Sequence, residues 1–129
     1  MFFSVIIPTY NRLPILEKCL RAICLQNLSE PHRFEVLVVD DGSTDDTVAW
    51  LQQHQDEFPQ VRLLDQDHQG PAAARNLGIE QAMGDTIVFI DSDLVVTPVF
   101  LQSHADALIE GQRAIGSDAL FTYGWVINT

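Results

Sequence analysis

Thr86-Ile87-Val88-Phe89-Ile90-Asp91-Ser92-Asp93 runs without a break from residues that favour a strand into two carboxylates separated by a single serine. The apolar part, Thr86–Ile90, shows no alternation of apolar and polar positions, which suits a strand covered on both faces. Three earlier stretches have the same character: Ser4–Thr9, Phe34–Val39 and Val61–Leu64. The segments between them carry helical periodicity. A helix over Pro14–Gln26 places Ile15, Leu16, Cys19, Leu20, Ile23 and Cys24 on one stripe, with Pro14 in its first turn. A second begins near Ser43-Thr44-Asp45-Asp46, where side-chain acceptors can cap free amides, turns Val48 and Leu51 inward and is stopped by Pro59. A third runs from Pro71 to Met83 and ends at Gly84, and a fourth opens at Thr97-Pro98 and closes at Gly111. Ala119–Ile127 then reads as a further strand. The order β-α-β-α-β-α-β with short crossovers predicts an α/β fold: an open, mostly parallel sheet with helices on both faces.

The chain has 129 residues and 47% hydrophobic content, enough for one core, so residues 1–129 are expected to form a single domain. With 18 acidic against 7 basic residues the formal charge is −11, which argues against nucleic acid or an anionic membrane surface as a partner. A phosphate-bearing ligand has to be met locally, by a bound cation and one or two placed arginines. Met1–Ile7 is apolar but lacks the basic region and cleavage site of a signal peptide, and no apolar run reaches the roughly 18 residues of a membrane helix. The expected location is cytoplasmic, for a parent protein that can associate with the cytoplasmic face of a membrane. Cys19 and Cys24 are the only cysteines, and their spacing on a helix indicates core thiols rather than a disulfide or zinc site.

In an open parallel sheet, ligands gather beyond the carboxyl ends of the strands, where helix N-termini point their amides into the crevice. The loops there are Pro8-Thr9-Tyr10-Asn11-Arg12, Asp40-Asp41-Gly42-Ser43-Thr44-Asp45, Asp65 through Arg75, and Asp91-Ser92-Asp93. Asp91 and Asp93 can turn toward one point, where they repel unless a cation joins them. Hard oxygen ligands with room for water and diphosphate suit Mg²⁺ or Mn²⁺, although a solvated turn is the competing reading. Asp40 and Asp41 fit either a capped strand-to-helix turn or a carboxylate that accepts from a base N–H or a ribose hydroxyl. Tyr10 can stack on that base or simply pack. Arg75 lies close enough to a helix start to face a pyrophosphate or base, or else to form an ordinary salt bridge. His68 lies in the same loop as Arg75 and can face the site, although a solvated loop histidine is the expectation, and His32, His54 and His104 receive no role.

Taken together, Val5-Ile6-Ile7-Pro8-Thr9-Tyr10-Asn11, Val38-Val39-Asp40-Asp41-Gly42-Ser43-Thr44-Asp45, Gly70 through Ala74-Arg75-Asn76, and Gly84-Asp85 through Asp91-Ser92-Asp93 resemble the family 2 glycosyltransferases of the GT-A fold. The resemblance implies a Rossmann-like GT-A domain in an inverting transferase. Its donor is a nucleotide-diphospho-sugar, UDP-sugar above all, used with Mn²⁺ or Mg²⁺. It also implies that Pro8, Tyr10 and Asp41 lie around the base with Asp40 beside them, that Arg75 approaches the nucleotide, and that Asp91 and Asp93 hold diphosphate and metal. The acceptor, whether saccharide, lipid or protein, is not specified, and no catalytic base is matched. Family members continue past this point with acceptor-binding elements, so from length alone the chain is expected to be a fragment that holds donor and transfers sugar poorly or not at all.

Two other readings compete. Phe89-Ile90-Asp91-Ser92-Asp93-Leu94-Val95 also fits a haloacid-dehalogenase-like phosphatase, but that motif belongs on a first strand with a lysine downstream, and none follows Asp93. A nucleotide-sugar-binding module without catalysis shares every donor-site feature. A dinucleotide-binding domain is disfavoured because the first strand-to-helix turn lacks glycine.

Overall fold

A computed structural model describes residues 1–116; the strand expected over Ala119–Ile127 lies outside the described residues. Four parallel strands, β1 (Phe2–Thr9), β2 (Arg33–Asp40), β3 (Val61–Asp65) and β4 (Thr86–Phe89), form one sheet in the order β3-β2-β1-β4. Val5 is level with Val36 on one side and Val88 on the other, and Val36 is level with Val61. All four expected strands are present within two residues at either end.

The helices are α1 (Leu13–Ile23), α2 (Thr47–Gln53), α3 (Pro71–Gln81) and α4 (Phe100–Ile115). Leu16, Cys19, Leu20 and Ile23 of α1 are fully buried against Phe3, Val5 and Ile7, together with Leu51 of α2 and Leu101 and Ala105 of α4. Each such Leu or Ile contributes about 1.5–3 kcal/mol relative to exposure. The opposite face of the sheet, Ile6, Leu37 and Val39, packs on Ala74 of α3 with Leu77 beside it. Gly78 lets α3 sit this close, since a Cβ there would lie 2.6 Å from Cγ2 of Ile6.

Several local expectations are corrected. Ile15 is exposed rather than part of the buried stripe of α1. Gly111 does not end α4, which continues to a left-handed Gly116, the conformation that relieves the last carbonyls without a Cβ penalty. β4 is not covered on both faces: Ile87 and Phe89, level with Ser4 and Ile6, are exposed because α3 lies over β1 and β2. The second strand also hides a polar residue. Glu35 is buried, accepting from Ser4 Oγ at 2.6 Å and from the Met83 amide at 2.7 Å, with Arg62 paired at 3.2 Å. It ties the end of α3 to three strands at the end of the sheet away from the loops discussed next.

Candidate functional site

Chain order and strand order diverge at β1. The crossovers from β1 through β2 to β3 run in one direction, and the next returns over the sheet to place β4 on the other side of β1. Beyond such a switch point the loops separate and leave a crevice. Pro8 helps to open it. The Ile6 carbonyl accepts from Ile90 on the β4 side and the Thr9 carbonyl from Asp41 on the β2 side, so by alternation the missing N–H of Pro8 faces the gap past the end of β4. No ladder bond is forfeited there.

The result is a cleft of about 480 Å³ lined by Pro8, Thr9, Tyr10, Arg12, Asp41, His68, Pro71, Arg75, Asp91, Ser92 and Asp93, a size suited to a small organic ligand. Six of the seven residues singled out from sequence line it, and the sheet brings them to one place from four loops. Asp40 is the exception. It is buried, and its carboxylate is spent on Ser43, accepting from the backbone amide at 2.9 Å and from the hydroxyl at 2.5 Å.

Asp41 is also buried, at 3% exposure, yet it borders the cleft. One carboxylate oxygen accepts from the Gln69 amide at 2.7 Å and Gln66 Nε2 at 2.8 Å; the other accepts from the Gly70 amide at 3.0 Å and faces His68 Nδ1 at 3.0 Å. Burial works to raise its pKa, but the donors from Gln69, Gln66 and Gly70 and the charge of His68 outweigh it, so the group lies below the usual carboxylate range. Asp41 therefore clamps the β3–α3 loop. Gly42, at φ +78°, lets that loop come near, since a Cβ would lie 2.9 Å from the His68 amide nitrogen.

The first two loops interlock in the same manner. Asn11, itself at φ 51°, accepts with its side-chain oxygen from the amides of Thr44 and Asp45 at 2.7 and 3.2 Å, and its own amide donates to Ser43 Oγ. Asp45 accepts from the Thr47 amide and, across the loops, from the Leu13 amide at 3.3 Å. The acidic cluster expected to cap α2 thus fastens the starts of both α1 and α2.

Asp91 and Asp93 lie in a turn closed by the Leu94 amide donating to the Asp91 carbonyl at 3.1 Å, over buried Ser92. Both carboxylates are exposed. Arg75 reaches Asp91 at 3.3 Å, and the Asp93 carboxylate has no hydrogen-bond or ion-pair partner among the described residues. Cys19 sits beneath the turn, its thiol 3.8 Å from the Asp91 carbonyl, with burial pushing its pKa up to about 12. Cys24 is pushed up to about 11 by burial, so both thiols are inert at neutral pH, as expected of core cysteines.

Sequence reasoning passed over Arg12, Thr9, Ser92 and Pro71. Arg12 carried a readable signal, being a scarce basic residue two positions after Tyr10. His68 is an exposed loop histidine, as expected, but it also borders the cleft. Its ring lies 4.3 Å from that of Tyr10 at an interplanar angle of 31°, and Nδ1 also approaches the Asp41 carbonyl at 3.1 Å. No local pattern marks this contact, because both partners come from other strands.

The comparisons agree with this fold. The chain is 37% identical over 124 residues to the glycosyltransferase AglE of Haloferax volcanii, covering 95% of this chain and 40% of that protein. Its fold superposes with a TM-score of 0.74 and 32% identity on Staphylococcus aureus TarS 1–349 in complex with UDP-GlcNAc, covering 88% of this chain and 32% of that one. The mannosyltransferase PcManGT of Pyrobaculum calidifontis, in complex with GDP-Man and Mn²⁺, gives a TM-score of 0.75 at 30% identity over 82% of this chain and 32% of that one. The chain spans less than half the length of the curated relatives it matches. The α/β sheet is that of GT-A glycosyltransferases, and the sequence pattern described as "Glycosyl transferase family 2" is matched from residue 4 to residue 128, which makes this chain a member of glycosyl transferase family 2.

Proposed function

We propose that residues 1–129 form the donor-binding domain of an inverting, metal-dependent glycosyltransferase that takes its sugar from a nucleotide diphosphate, a UDP-sugar in the first instance. The observation that carries this reading is the gathering of Pro8, Tyr10, Asp41, Arg75, Asp91 and Asp93 around one cleft at the switch point of the sheet. Tyr10 and Pro8 border the base, and Asp41 stands at its edge. Arg75 faces the diphosphate, supplying fixed positive charge in a chain whose formal charge is −11.

The donor set at the carboxylate pair fits a divalent cation. Asp91 and Asp93 offer hard oxygens, and no group of three or more His, Cys, Asp or Glu gathers among the described residues. Asp91 and Asp93 would hold such an ion while leaving room for water and diphosphate, a donor set that suits Mg²⁺ or Mn²⁺. When bound, such an ion neutralises the charge that collects on the departing diphosphate. Arg75 adds to that stabilisation from the start of α3. With the leaving group held on one side, an acceptor hydroxyl attacks the anomeric carbon from the other in a single displacement, which inverts configuration. A carboxylate other than Asp91 and Asp93 takes the acceptor proton.

Among the described residues no helix is long and apolar enough to cross a membrane. The acceptor is a hydroxyl-bearing saccharide, lipid or protein, brought by parts of the parent that lie apart from this cleft. Calorimetric titration with UDP, UDP-GlcNAc and GDP-mannose, with Mn²⁺ and with EDTA, tests the reading. Binding of at least one of them, weakened by metal removal, is expected. No binding by any, at millimolar ligand, would refute it.

A further inference from the structure

We propose that His68 is an internal stand-in for the nucleobase, occupying the base position until a donor displaces it. The inference rests on the base-site reading given under Proposed function. A pyrimidine in that position has to do two things: lay its flat face on Tyr10 and direct a ring N–H at the Asp41 carboxylate. The imidazole of His68 already lies against Tyr10 and brings a ring nitrogen to the Asp41 carboxylate. Its ring is 4.3 Å from Tyr10 at 31°, and Nδ1 is 3.0 Å from the Asp41 carboxylate. A second base-sized ring has no room between rings at that separation, because each stacked plane adds about 3.4 Å to a stack, the rise per base in DNA.

The four donors to Asp41 differ in how readily they can leave. The Gln69 and Gly70 amides are fixed by the chain that enters α3, whereas His68 hangs from the loop with its side chain 60% exposed. Rotation of this one side chain frees one acceptor position on the Asp41 carboxylate and a face of Tyr10 together, while the bonds from Gln66, Gln69 and Gly70 keep the loop clamped. Nothing else in the cleft combines a ring and a ring N–H: the other charged groups on its lining are Arg12, Arg75, Asp91 and Asp93.

The consequence is a competition. A chain whose base position is filled by its own side chain binds nucleotide with an affinity reduced by the fraction of time that position is open. An exposed aromatic contact with one polar contact accounts for roughly a fivefold reduction. His68 thus sets how weakly the donor's nucleotide is held, and so how readily the spent nucleoside diphosphate leaves.

Two measurements on the 129-residue chain test this. In the nucleotide-free protein, NMR is expected to show cross-relaxation between the His68 and Tyr10 rings and a proton on Nδ1; its absence overturns the inference whatever the chain binds. UDP with Mn²⁺ is then titrated into the wild type and into His68→Ala, with a thermal melt confirming that the variant is folded. Loss of the His68–Tyr10 cross-peaks on UDP addition and about fivefold tighter binding by His68→Ala support it. Equal or weaker binding by the variant overturns it while leaving the base site standing, since His68 would then be a bystander or a partner of the base. Failure of both proteins to bind any nucleotide removes the base-site reading, and the inference with it.

Discussion

The chain presents two pairs of aspartates at the ends of strands, Asp40-Asp41 after β2 and Asp91-Ser92-Asp93 after β4, and they have opposite fates. The first pair is buried and each oxygen of it is occupied by the protein's own donors. The second is exposed, with one contact to Arg75 and none to Asp93 among the described residues. A buried carboxylate is tolerated only when its lone pairs are filled, so the first pair holds loops in place, and Asp41 can meet a ligand only by exchanging its contact with His68. An exposed pair keeps its hydration and its repulsion, and so keeps its capacity to bind something from solution. The first pair builds the cleft and the second equips it.

The sharpest way to break this contrast is to remove the buried member. Asp41→Ala leaves the Gln69 and Gly70 amides without their acceptor and is expected to lower folding stability by about 3 kcal/mol, read from urea unfolding. A loss below ~1 kcal/mol would mean that the loop holds without its clamp. Asp93→Asn should do the reverse. Nucleotide-sugar affinity in Mn²⁺ is expected to fall roughly thirtyfold, about 2 kcal/mol, while unfolding stability changes by less than ~0.5 kcal/mol. Calorimetry and the same urea series check both halves, and a fold defect without a binding defect would erase the distinction between the pairs.

The smallest effect is a pH dependence carried by Asp41. The pKa of Asp41 is lowered from its ordinary value of 3.8 by donors that exist only in the folded chain, so its contribution is fully present above that value. It is lost as the pH falls below 3.8 toward the depressed folded value. The stability gap between wild type and Asp41→Asn is therefore expected to narrow in acid over that range, measured by urea midpoints at several pH values. A gap that stays constant would show that the carboxylate's charge contributes nothing to the clamp.

How much of this could be read in advance differs from element to element. The four strands and their order along the chain follow from apolar runs punctuated by turn residues, a local pattern that survives without knowledge of partners. The position of Asp91 and Asp93 at a strand mouth was legible for the same reason. Exposure of Ile87 and Phe89 was not, because whether a strand face is covered depends on where α3 lands. Glu35 was absorbed into an apolar run, since its partners Ser4, Arg62 and Met83 lie 27 to 48 residues away for the two beyond β2 and on a neighbouring strand for the third. The extension of α4 through Gly111 shows packing of Leu101, Ala105 and Leu108 outweighing a cost of about 1 kcal/mol for an interior glycine.

By itself the sequence determined the α/β alternation, the loops that border the cleft and the presence of two acidic pairs there, because backbone preference and residue type are local properties. Only the tertiary structure decided which acids remain available. The donors that fill Asp41 lie 25 to 29 residues downstream, and His68 meets Tyr10 only because the third loop folds back over the first two. Whether a carboxylate is consumed or left for a ligand depends on burial and on the nearest hydrogen-bond donors, and both are fixed by the packing of distant segments.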